Sequence, residues 1–97
     1  MLRDDEKALI IRLLEALHPG VKIYLFGSRA RGDNTPRSDY DLALDTGAPM
    51  DIIEVAIARN VLEAGLHIPW KIDVVDLNSV PDYLRGKILK EGIIWKN

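Results

Sequence analysis

Between Asp4 and Leu17 the apolar residues Leu9, Ile10, Leu13, Leu14 and Leu17 recur at spacings of three and four, which describes one stripe of a helix. His18-Pro19-Gly20 ends that pattern. Val21 to Phe26 is short, apolar and rich in β-formers, and predicts a strand. Gly27 to Arg37 collects Gly, Ser, Asn, Pro and Arg, and predicts a loop or a short helical turn. From Asp39 to Asp45 the chain alternates strictly. Tyr40, Leu42 and Leu44 fall on one side, and Asp39, Asp41, Ala43 and Asp45 on the other, the period of a strand.

Asp51 then reads as an N-cap with Glu54 as its capping-box partner and Met50 and Val55 as a hydrophobic staple. The helix it opens runs to about Leu66, with Ile53, Ile57, Val61 and Leu62 as the expected core positions. Trp70 to Val75 predicts a third strand, placing Ile72 and Val74 on one face and Lys71, Asp73 and Val75 on the other. Ser79 with Asp82 opens a last helix carrying Leu84, Ile88 and Leu89, which Gly92 stops. Ile93-Ile94-Trp95 is a candidate terminal strand. The order suggests an α/β or α+β fold, with helices packed on a small mixed β-sheet.

Ninety-seven residues fit one domain, 1–97. Hydrophobic residues are 47% and charged residues 29%, which excludes a disordered chain. Thirteen basic against fifteen acidic residues leave a net charge of -2, so stable direct nucleic-acid binding is not expected. There is no cysteine, hence no disulfide and no thiolate metal site. The acidic N-terminus is unlike a signal peptide, and no apolar run is long enough to span a bilayer. A cytoplasmic protein without a membrane anchor is the expectation.

Candidate chemistry collects at three places. Asp39 and Asp41 leave one strand face about 7 Å apart, at a rise of about 3.3 Å per residue. Asp73 joins them if its strand lies alongside in register. Three crowded carboxylates repel, which makes little sense for stability; a pair of divalent ions would compensate them, and hard oxygen ligands favour Mg2+. Gly27 allows close backbone approach to a ligand, and Ser28 offers a hydroxyl and an amide to phosphate. Arg29, Arg31 and Arg37 add positive charge to the same loop. Alone, Gly-Ser is usually a turn and Asp-x-Asp a solvated face. Together, the four fixed positions match by chance on the order of one chain in a thousand at this length.

Gly27-Ser28-Arg29-Ala30-Arg31-Gly32 followed by Ser38-Asp39-Tyr40-Asp41-Leu42 resembles the signature of the DNA polymerase β-type nucleotidyltransferase superfamily. More narrowly, length and Ala30-Arg31-Gly32 resemble the minimal nucleotidyltransferase (MNT) family. Ile72-Asp73-Val74-Val75 is similar to its third-carboxylate strand, and Lys90-Glu91-Gly92 to its C-terminal stretch. The resemblance implies transfer of a nucleoside monophosphate, usually AMP from ATP, with release of pyrophosphate. It implies Asp39, Asp41 and Asp73 as catalytic metal ligands, with Asp73 also helping to deprotonate an acceptor hydroxyl. Gly27 and Ser28 would hold the β- and γ-phosphates. Arg31 either steadies phosphate or braces the loop, and Ser38, grouped with the nucleotide-binding residues, caps or orients the turn into Asp39.

Members of this family are commonly the antitoxin of a two-gene module, and adenylylate a tyrosine of a helical HEPN-type ribonuclease toxin. The resemblance therefore implies a hetero-oligomer with such a partner. Two other readings stand beside it: an antitoxin that acts by occlusion, and a small-molecule nucleotidyltransferase working as a homodimer. Because the motifs, strands and helices use up the sequence, the acceptor is expected to bring its own surface.

Overall fold

The computed structural model describes residues 2–97. Helix α1 spans Asp4–Leu17, the bounds its apolar spacing predicts, and buries Ile10 and Leu14 completely. Strand β1, Lys22–Phe26, ends at Gly27, and a single turn, α2, follows over Ser28–Arg31. Strand β2 covers Tyr40–Asp45, so Asp39 stands just outside it; the first rung is the Tyr40 amide donating to the Lys71 carbonyl at 2.9 Å. Then come α3 (Ile52–Gly65), β3 (Ile72–Asp76), α4 (Asp82–Glu91) and the short β4 (Ile93–Lys96).

The four strands form one mixed sheet in the order β3-β2-β1-β4. β1 pairs antiparallel with β2 and with β4. β2 and β3 are parallel, and parallel neighbours need a crossover, which α3 provides. One sheet face packs on α1 and α3: Ile23, Leu25, Leu42, Leu44, Ile72 and Val74 meet Ile10, Leu14, Ala58 and Leu62 there. The other face is covered by α4, where Ala43, Leu77 and Ile88 are buried beside Tyr24, Phe26 and Val75.

Two expectations need correction. On α3, Ile53 and Ile57 are 63% and 46% exposed, and the buried positions are Ala58, Leu62 and, at the C-cap, Leu66. A second stripe four residues apart competes with the first, and small Ala58 lets the helix approach the sheet closely. Asp51 does cap α3, accepting from the Ile53 amide at 3.0 Å. Ser79 does not open α4. Pro81 is its N-cap, and the Ser79 hydroxyl donates to Asp76 at 2.6 Å. Of the apolar residues α4 carries, Ile88 is buried and Leu89 is 51% exposed.

Asp76, the last residue of β3, is 6% exposed. Its carboxylate accepts from the amides of Met50 and Asn78 and from the Ser79 hydroxyl, so it ties the loops before α3 and α4 to the end of β3. A buried carboxylate needs such partners. Among the described residues, no helix is long and apolar enough to cross a membrane.

Candidate active site

Strand register builds the site. Phe26 on β1 pairs with Asp41 on β2, and Asp41 pairs with Asp73 on β3. Residues directly opposite share a face, so these three side chains form one row across the sheet. The next row, Tyr24, Ala43 and Val75, lies under α4. The Phe26-Asp41-Asp73 row lies at the end of that covered face, with Asp41 and Asp73 half-buried there. Asp39 lies one residue before β2 and is exposed.

The charges converge. Burial pushes the Asp41 carboxyl up from its ordinary value, and the negative charges of Asp73 and Asp39 push it further, against a partial pull from Arg31. Among the described residues, no three acidic or histidine side chains are gathered tightly enough to hold a metal ion as they stand. The donor chemistry fits a hard divalent cation all the same. Asp73 and Asp39 both bear on Asp41, every donor is an oxygen, and the unfavourable negative charge on Asp41 is what a cation relieves.

Gly27 ends β1 with φ 77° and ψ -158°, a region almost confined to glycine. A Cβ built on it collides with the Asp41 carboxylate. Backbone and carboxylate therefore approach as no other residue would allow. Ser28 opens α2 directly beyond, half-buried. The turn is closed by the Ala30 and Arg31 amides donating to the Gly27 carbonyl, both at 3.1 Å.

The arginines divide. Arg29, expected to serve phosphate, braces the loop instead. Its Nε and Nη2 donate to the Ser38 carbonyl at 3.2 and 3.0 Å, and its guanidinium lies 4.2 Å from the Tyr40 ring centroid. Trp70 closes the same cluster edge-on to Tyr40 and donates to the Pro36 carbonyl at 3.0 Å. Arg31 contacts Asp33 at 3.2 Å and lines a cleft with Phe26, Gly27 and Lys87. Arg37 is exposed. The Ser38 hydroxyl accepts from the Thr35 amide at 2.9 Å, which fixes the turn into Asp39.

One contact has no counterpart in the sequence pattern. Arg59 of α3 places Nη2 3.1 Å from Asp73 Oδ1. The two residues are fourteen apart, on different elements, and no local spacing marks them. Lys87 on the cleft wall was likewise not legible in advance.

A family described as Polymerase beta, Nucleotidyltransferase matches residues 9–96. The chain belongs to that family. A curated relative from Haemophilus influenzae, named probable protein adenylyltransferase MntA, is 28% identical over 96 residues, covering 96% of this chain and 81% of the relative. A crystal structure described as a toxin-antitoxin with AMP-PNP superposes at a TM-score of 0.78 with 30% identity, covering 92% of this chain and 71% of that one. A tri-AMPylated Shewanella oneidensis HEPN toxin in complex with MNT antitoxin contains a chain matched at 0.75 and 26% identity, covering 97% and 71%. The mixed four-stranded sheet of this nucleotidyltransferase is the fold expected from its sequence.

Proposed function

We propose that this nucleotidyltransferase moves AMP from ATP to a tyrosine hydroxyl of a separately encoded HEPN-type toxin, and so acts as its antitoxin. The observation that carries the reading is the register of Asp41 against Asp73, beside a Gly27 that only glycine can fill. The relatives support the rest: one is named a protein adenylyltransferase, and one matched structure contains an AMPylated HEPN toxin. Such a reaction belongs in the cytoplasm, where ATP is held.

In this reading Gly27 and Ser28 hold the β- and γ-phosphates, and Arg31 adds charge from the cleft wall. Asp39, Asp41 and Asp73 would hold Mg2+, two ions fitting the chemistry; bound there, the metal neutralises charge on the reacting phosphates. The tyrosine oxygen bonds to the α-phosphorus, the bond from that phosphorus to the pyrophosphate oxygen breaks, and Asp73 takes the hydroxyl proton. Ser38 and Arg29 keep the loop that carries Asp39 in place.

The test is mass spectrometry of the toxin co-expressed with this chain. The toxin should gain adenylate mass on tyrosine, and the gain should vanish with Asp41→Asn. A toxin that is bound and fully neutralised, yet unmodified with any nucleotide or divalent metal, overturns transfer in favour of occlusion. Ser28→Ala should weaken binding of a non-hydrolysable ATP analogue by roughly 0.5–1.5 kcal/mol, the net worth of one hydrogen bond. Calorimetry measures this directly, and equal affinities would reduce Ser28 to a turn residue.

A further inference from the structure

Arg59 belongs to the helix on the far side of the sheet from the carboxylate row, yet it reaches the row around the β3 edge. Its Nη2 donates to the Val74 carbonyl at 2.9 Å and stands 3.1 Å from Asp73 Oδ1. The same Oδ1 accepts from the Val74 amide at 3.0 Å. Both contacts on the carboxylate fall on one oxygen, and among the described residues Oδ2 makes neither a hydrogen bond nor an ion pair. Among the described residues, this is the sole ion pair made by Asp39, Asp41 or Asp73. With side chains 36% and 40% exposed, the pair adds little to stability, so holding the fold together does not account for it.

We infer that Arg59 is a positioning residue for nucleotidyl transfer: by pinning Oδ1 of Asp73 to the β3 edge, it presents Oδ2 to the acceptor hydroxyl. The inference rests on the transfer reaction proposed above. A carboxylate free to rotate would spend much of its time with neither oxygen aligned, and alignment is what such a site contributes. One nitrogen bonded to both the Val74 carbonyl and Asp73 fixes the carboxylate relative to the strand itself. Arg suits this better than Lys, whose shorter stem would have to stretch for both oxygens.

Two measurements test it on the full chain. The first is transfer from ATP with Mg2+ to the HEPN partner. Arg59→Met keeps the apolar stem and removes the guanidinium. It should lower kcat about 10- to 100-fold, the usual cost of losing an outer partner of a ligating group. KM for ATP should stay within about twofold, because the triphosphate lies on the Gly27 side. Arg59→Lys should recover part of the loss. The second needs neither metal nor nucleotide: nitrogen NMR of the free protein should show restricted Arg59 Nη rotation, faster in Asp73→Asn, which leaves the bond to the Val74 carbonyl. An active parent whose Arg59→Met variant keeps its kcat, or shows only a raised KM, overturns the inference alone. So does freely rotating Nη in the parent. A parent inactive towards its partner overturns the functional reading, and the inference with it.

Discussion

Asp41→Asn should abolish nucleotidyl transfer, by on the order of 10³-fold or more, as when one member of a unit that acts together is removed. The same variant should melt higher than the parent in chelator at neutral pH. Burial, then the charges of Asp73 and Asp39, raise the Asp41 carboxyl above its value in the unfolded chain. The folded protein thus holds the proton more tightly than the unfolded one. Above that range the ionised group costs folding free energy, and the cost lifts as pH falls through the folded pKa. The advantage of Asn should therefore shrink in acid. Loss of activity joined to gain of stability marks a carboxylate kept for chemistry. Asp39→Asn should lose transfer as well. If both single variants retain it, the carboxylate site is wrongly assigned.

How far the fold was legible depends on where its information lies. α1 has one apolar stripe and no rival, and its bounds match the expectation residue for residue. α3 offers two stripes, Ile53-Ile57-Val61 and Ala58-Leu62-Leu66. Periodicity cannot rank them; the sheet does, by taking the one whose small residue lets it approach. The outward stripe leaves Ile53 and Ile57 in solvent. Ser79-x-x-Asp82 resembles a capping box, but its hydroxyl is claimed by Asp76, a partner that only the tertiary fold supplies. The burial of Asp76 has no local signal either, because its three donors come from two loops that only the fold brings to the end of β3.

The candidate site was more legible than the core, because its residues sit on alternating strands, where a period of two fixes the face. Asp41 and Asp73 were each placed on the polar side of a strand, and the parallel register puts them directly opposite. The loop was harder. Three arginines near the proposed phosphate-binding residues look equivalent in sequence, yet Arg29 is drawn to the Ser38 carbonyl and the Tyr40 ring. Stacking on an aromatic face with carbonyls at the rim suits a guanidinium as well as phosphate does. Arg59 was invisible for the opposite reason: an arginine amid a helix reads as a solvated position until the β3 edge is set beneath it.

Gly27→Ala should be nearly as damaging as loss of a carboxylate, and it separates geometry from charge. The substitution adds no charge and removes none. It places a methyl group where the Asp41 carboxylate stands and asks an alanine to hold φ 77°. The backbone alone costs about 1–3 kcal/mol in that region. The chain can relieve the collision only by moving the carboxylate or the turn that carries Ser28, and displacements of about an ångström cost on the order of 100-fold in rate. Gly20→Ala is the control. Gly20 has φ 85° at the opposite end of β1, with nothing within 4 Å of an added Cβ. It also has a positive φ, without the collision. Both variants should melt below the parent. Folded Gly20→Ala should transfer AMP at close to the parental rate, whereas folded Gly27→Ala should lose about two orders of magnitude. Equal activity in the two would mean that the close approach of Gly27 to Asp41 serves the fold alone.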